Sequence, residues 1–181
     1  MTPADRTWVH PAVRVGPSTV EGRGLFATAD LLAGTVVVVL GGRVVGTEEL
    51  RRLIAAADAD PDTPYVDTIG LDGDRHLVLD AGTPAHFGNH SCEPNLWHED
   101  GVTVVARRYV AAGEELTVDY ATQTTEPGWA MTCRCGAASC RGQVTGRDWA
   151  RGDLQVRYGR HWVPALLRRI DAGVSGPAAP S

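Results

Sequence analysis

Apolar positions fall in short, β-branched runs closed off by Gly, Asp or Pro: Gly24-Leu25-Phe26-Ala27 and residues 35–40, 65–69, 76–79, 102–106 and 116–120. Runs of this length and composition predict strands. Residues 36–40 do not alternate, so that strand is expected to be buried on both faces. Helical spacing occurs in three places. Leu50, Leu53, Ile54 and Ala57 form a stripe, with Thr47 as the expected N-cap and Glu48 and Glu49 in the first turn. A second helical stretch opens near Arg147 or Asp148 and stops at Gly159; a third starts around Pro164 and carries Leu166, Leu167 and Ile170. Many short strands with few helices predict a β-rich α+β fold and not alternating βαβ units.

The chain has 181 residues, 43% apolar and 22% charged, which suits one globular domain with a small appendage. The longest all-aliphatic run is five residues, 36–40, so a spanning helix of about 20 is excluded. Residues 1–10 hold no apolar stretch of the kind a secretory signal needs, and a cytoplasmic location is expected. The net charge of −5 argues against a dedicated nucleic-acid binder. From Arg141 onward seven Arg oppose Asp148, Asp153 and Asp171, giving +4 against −9 before it. All basic side chains are Arg, which together with abundant Ala and Gly reads as bacterial coding bias and leaves no lysine nucleophile.

Gly22-Arg23-Gly24-Leu25-Phe26-Ala27 matches the spacing of a dinucleotide fingerprint, but a turn-like stretch precedes it and Gly34 follows too soon for a long helix. What remains is a turn where backbone can approach a ligand closely. The cysteines say more. Cys133, Cys135 and Cys140 form a tight Cys-x-Cys-x4-Cys knuckle, and Cys92 is the one other thiol. Four thiolates suit a closed tetrahedral zinc site. Two disulfides, with three possible pairings, and unrelated thiols are the alternatives; a Cys-x-Cys disulfide would close a small strained ring.

Asn89-His90-Ser91-Cys92-Glu93-Pro94-Asn95 and Gly113-Glu114-Glu115-Leu116-Thr117-Val118-Asp119-Tyr120, with the earlier Gly22-Arg23-Gly24-Leu25-Phe26 and the later Cys-x-Cys-x4-Cys-Arg-Gly, occur in this order over residues 22–142. The set resembles SET-domain protein lysine methyltransferases of bacterial type with a post-SET zinc motif. The resemblance implies a SET fold of small sheets around a pseudoknot, with residues 116–120 threaded beside the Asn89-His90 strand. It implies a SET domain over residues 13–125 and a post-SET zinc segment over 126–144; the sequence itself adds a lead-in over 1–12, a helical extension over 145–171 that is not part of the family's common core, and a disordered tail over 172–181.

The implied activity is methyl transfer from S-adenosylmethionine to the side-chain amine of a lysine in a protein substrate. Gly22, Arg23, Gly24, Asn89, His90 and Tyr120 are the implied cofactor contacts. Tyr120 is the implied catalytic residue, and Tyr65 matches a second tyrosine near the lysine channel. Cys92, Cys133, Cys135 and Cys140 are the implied structural zinc ligands. Val118 stands two residues before Tyr120, where many relatives carry an aromatic residue that limits the number of methyls. His86 stands where relatives often have an arginine, and it is read, like His10, His76, His98 and His161, as an ordinary histidine. No carboxylate–histidine pair stands out as a base, so deprotonation is expected to run through solvent. The alternatives are a non-catalytic SET-fold protein-binding module and a zinc-knuckle nucleic-acid binder.

Overall fold

The computed structural model describes residues 3–60 and 65–173; of the expected tail, residues 174–181 lie outside that range. The described residues form thirteen strands: β1 (Trp8–Val9), β2 (Val13–Pro17), β3 (Arg23–Ala27), β4 (Val36–Val39), β5 (Gly42–Gly46), β6 (Thr68–Asp72), β7 (Arg75–Leu79), β8 (Asn89–His90), β9 (Leu96–His98), β10 (Thr103–Ala106), β11 (Glu115–Val118), β12 (Ala130–Thr132) and β13 (Gln143–Thr145). Three α-helices accompany them: α1 (Thr47–Ala59), α2 (Gly152–Tyr158) and α3 (Pro164–Asp171).

The strands make four small sheets, in the orders β1-β4-β10-β9, β2-β3-β11-β8, β5-β7-β6 and β12-β13. One pairing among them is parallel: β11 lies along β8, with Thr117 opposite Asn89 and Val118 opposite His90. This sets the residue 116–120 segment beside the Asn89-His90 strand, where it was expected. Neither partner is long, so the pair depends on burial for its stability; Leu116 and His90 are both essentially solvent-free.

The core is continuous across the sheets. Val37, Leu77, Val110, Leu116, Leu154, Val163 and Leu166 are all at most 1% exposed, so strands and the C-terminal helices share one apolar centre. The expected both-face burial of β4 holds at Val37 and Val38 but not at Val36, which is 37% exposed at the strand's start.

Several local expectations are corrected. Thr47 does not cap α1; Gly46 occupies the cap position, and the Thr47 hydroxyl instead meets His76 Nε2 at 3.0 Å. The residue 65–69 run becomes a strand at Thr68, although the Asp67 carbonyl still accepts from Leu79 N–H at 3.0 Å. The lead-in is tied down: Trp8 and Val9 pair with Val39 and Val38, and Thr7 donates to Asp80 from both its backbone and its hydroxyl. The later helices lie where the pattern put them, with a 3-10 turn, Asp148–Ala150, ahead of α2.

Candidate functional site

The Gly22-Arg23-Gly24 turn enters β3. Gly22 has φ +44°, a left-handed conformation that glycine adopts without strain. Gly24 is constrained by packing: a Cβ there would sit 2.2 Å from Glu115 Oε1 and 3.2 Å from Asn89 Nδ2. The Asn89 amide points into this turn. It lies 3.0 Å from the Arg23 carbonyl, 3.2 Å from the Glu21 carbonyl, 3.1 Å from Ser18 Oγ and 2.8 Å from Glu115 Oε1. Four acceptors surround a group with two hydrogens, so the amide has alternatives to give up when a ligand claims one. Arg23 lays its guanidinium 4.2 Å from the centre of the Phe87 ring, a cation–π contact that flanks the same turn. A backbone surface open beside Gly22, where an added Cβ would meet nothing within 4 Å, is a cradle that a cofactor can approach.

His90 and Tyr120 meet behind this turn. The Tyr120 backbone N–H donates to His90 Nδ1 at 3.1 Å, so the ring proton sits on Nε2, which faces Cys92 Sγ at 3.4 Å. Burial holds the His90 pKa down to about 4, against the pull of Asp119. The imidazole is therefore a neutral bracket between Tyr120 and Cys92. The Tyr120 hydroxyl donates to the Gly88 carbonyl at 2.8 Å. Burial, and then the Asp67 carboxylate and Tyr65 phenol, push its pKa up to about 12. At neutral pH it is a hydroxyl with oxygen lone pairs free to accept.

The four cysteine sulfurs lie within 4.8 Å of one another, and none is in a disulfide. Cys92 Sγ and Cys133 Sγ are 3.8 Å apart, close to the ~3.8 Å edge that a tetrahedron of Zn–S bonds near 2.3 Å requires. Backbone N–H groups aim at these sulfurs: Arg141 to Cys92 at 3.3 Å, Cys92 to Cys135 at 3.5 Å and Gly142 to Cys140 at 3.4 Å. For Cys135, burial is outweighed by such donors, which bring its pKa down to about 7. The donor set is compatible with one zinc ion, four sulfurs being the number that a closed tetrahedral site takes.

Four features were not legible beforehand. Trp129, just ahead of β12, lies 6.1 Å from the Tyr120 ring. Asp119 is buried in a network: Arg141 grips both its oxygens at 2.7 Å, and the Tyr158 hydroxyl donates to Oδ2 at 2.8 Å. Arg157, also on α2, donates to the Cys92 carbonyl at 2.8 Å. Lastly, His86 and Asp67, nineteen residues apart, pair at 3.1 Å, a carboxylate–histidine contact that the sequence did not reveal. Tyr65 is 81% exposed. Val118 is half-buried opposite His90.

With a glycine turn, an Asn-His strand, a buried tyrosine and a four-cysteine cluster assembled on small sheets, comparison with known proteins becomes informative. The SET domain family model matches residues 22–121, and the chain belongs to that family. Similar curated proteins include histone-lysine N-methyltransferase ash1 of Drosophila melanogaster, 32% identical over 150 residues, covering 77% of this chain and 7% of the relative. Human histone-lysine N-methyltransferase 2B is 34% identical over 145 residues, covering 72% and 5%. The chain thus spans under a tenth of the length of these relatives. Among solved structures, the methyltransferase domain of human histone-lysine N-methyltransferase SETMAR matches with a TM-score of 0.60 at 24% identity, over 74% of this chain and 58% of that one; the likeness supports the fold. Among the described residues no helix is long and apolar enough to cross a membrane.

Proposed function

We propose that this chain transfers methyl groups from S-adenosylmethionine to the side-chain amine of a lysine in a protein substrate. The observation that carries the reading is the parallel β8–β11 register. It puts the Asn89-His90 strand alongside the segment that leads into Tyr120, with the Asn89 amide bonded to the glycine turn and the Tyr120 hydroxyl bonded to the Gly88 carbonyl, one residue before Asn89.

When bound, S-adenosylmethionine supplies an electrophilic methyl on a sulfonium. Gly22, Arg23, Gly24, Asn89 and His90 are its proposed contacts. The chain's remaining task is positional: methyl displacement needs a neutral amine held in line at roughly 3 Å. Tyr120, protonated and with its own hydrogen committed to the Gly88 carbonyl, accepts an N–H of the amine and so aims the nitrogen lone pair. Tyr65 is proposed as the second tyrosine of the lysine channel. Cys92, Cys133, Cys135 and Cys140 hold a structural zinc that ties the post-SET segment, residues 126–144, to the strand bearing Asn89 and His90. Four unpaired cysteines support a reducing compartment, and the cytoplasm of a bacterium is the proposed setting.

The test is incubation with labelled S-adenosylmethionine and two acceptor pools, core histones and a bacterial lysate, read by mass spectrometry of lysine residues. Methyl-lysine that disappears with Tyr120→Phe supports the reading. Cofactor binding without transfer to either pool favours the non-catalytic module, and no cofactor binding overturns the assignment.

A further inference from the structure

The Asp67–His86 pair lies outside every element assigned a role above. His86 sits in the 3-10 turn Pro84–Phe87, immediately before Gly88, whose carbonyl receives the Tyr120 hydroxyl. Its ring is wedged between two oxygens: Nδ1 faces Asp67 Oδ2 at 3.1 Å and Nε2 faces the Asp80 carbonyl at 3.1 Å. Asp80 is itself fixed by Thr7. The imidazole therefore acts as a strut that sets the rotamer of the Asp67 side chain. That side chain is 28% exposed. Its second oxygen, Oδ1, has no protein hydrogen-bond partner, and no arginine pairs with it, among the described residues. Its field reaches both phenols of the proposed channel, Tyr120 and Tyr65.

The cofactor side is built otherwise, from Ser18, the 22–24 turn, Asn89 and Glu115, and none of these touches residues 65–67. Asp67 immediately precedes β6, and its geometric link to Tyr120 runs through His86 and the neighbouring Gly88 carbonyl; this is taken as the side from which the lysine enters. Resting on the lysine-methyltransferase reading, we propose that Asp67 is the residue that selects a cationic side chain at the channel, its free carboxylate oxygen receiving the lysine ammonium before deprotonation, and that His86 is the positioning residue that aims it. A fixed, half-shielded carboxylate is stronger toward a cation than a mobile surface one, because its orientation is already set and water screens it less. The same carboxylate disfavours acidic and neutral side chains, which gain nothing from it.

The probes are capped lysine (N-acetyl-lysine amide) and its uncharged analogue without the ammonium group, capped norleucine, each titrated into the full chain by NMR at pH 7. The ratio of the two dissociation constants is read, since general damage weakens both ligands alike. The wild type is expected to prefer lysine by about five- to tenfold. Asp67→Asn abolishes that preference, and His86→Ala reduces it, while His86→Asn, which keeps a donor near Nδ1, restores part of it. S-adenosylmethionine affinity, measured separately, stays within about twofold in all variants. Overturning results are an unchanged ratio in Asp67→Asn, no saturable lysine binding in the wild type, or a loss confined to cofactor affinity. If the cofactor itself fails to bind the wild type while the lysine preference persists, the methyltransferase reading falls and the cation site stands.

Discussion

A single hydroxyl separates Tyr120 from phenylalanine, and in the proposed reaction that hydroxyl is the atom the amine meets. Tyr120→Phe keeps the ring between His90 and Trp129, so folding should be intact. Loss of one oriented group in a desolvated site should lower turnover by on the order of 10²-fold, with S-adenosylmethionine affinity little changed; single-turnover kinetics and calorimetry check the two halves. Because the Tyr120 pKa lies near 12, the hydroxyl does not titrate between pH 7 and 9. The lysine does, from an ordinary value near 10.4, so the rate at low substrate should climb about tenfold per pH unit over that interval. A pH-independent rate would mean that the amine arrives already neutral. Val118 is the other residue-scale test. Val118→Tyr should shift products toward monomethyl-lysine at matched total turnover, and an unchanged ratio would remove Val118 from the channel. Residue identities were the most readable layer: Asn89, His90, Tyr120 and the cysteines announce themselves by local motif. Asp67 and His86 do not, because a pair nineteen residues apart is made by the β6–β7 hairpin and the turn after it, and neither residue carries a local signature.

At the scale of elements, the strands with β-branched runs were visible, whereas β12 and β13 were not. Ala130–Thr132 and Gln143–Thr145 are three residues each, too short for their alternation to stand out in the sequence; they flank the three clustered cysteines of the knuckle. The N-terminal strand β1 is equally silent, being two residues held by β4. The β12–β13 hairpin thus depends on the knuckle it encloses. Zinc removal by a chelator, or Cys135→Ser, should raise backbone amide exchange across residues 126–144 well before the β4–β10 sheet opens, since that sheet has its own apolar core. Elemental analysis giving no zinc in protein purified without chelator would refute the metal assignment. Helix α2 carries a distinct load. Tyr158→Phe leaves the buried Asp119 one donor short, at a cost of about 1.5–3 kcal/mol for a hydrogen bond to a charged group, measurable by urea unfolding.

For the molecule as a whole, stability should be acid-sensitive, and in a particular direction. His98 is fully buried, its Nε2 3.0 Å from Gln123 Oε1, and desolvation depresses its pKa below the ordinary 6.5 despite the Gln123 bond. The folded state therefore binds fewer protons than the unfolded one below pH 6.5. Stability is fully present above that value and declines as pH falls through it toward the depressed folded pKa. Asp119 adds a second loss at lower pH: burial opposes its ionisation, but Arg141 and His90 outweigh this and hold it below the ordinary 3.8, so its contribution vanishes only as it is protonated. Thermal unfolding between pH 7 and 5 should show a falling midpoint whose slope shrinks in His98→Gln.

The Asp119 network also has a temporal meaning. During synthesis the carboxylate leaves the ribosome with Tyr120, but its compensating charge arrives at residue 141 and its last donor at residue 158. Until then the strand beside Asn89 carries a charge that resists burial. The segment that ends in Tyr120 is consequently stabilised in full only when translation has delivered α2, so a nascent chain stalled before that helix would hold the tyrosine less firmly in place.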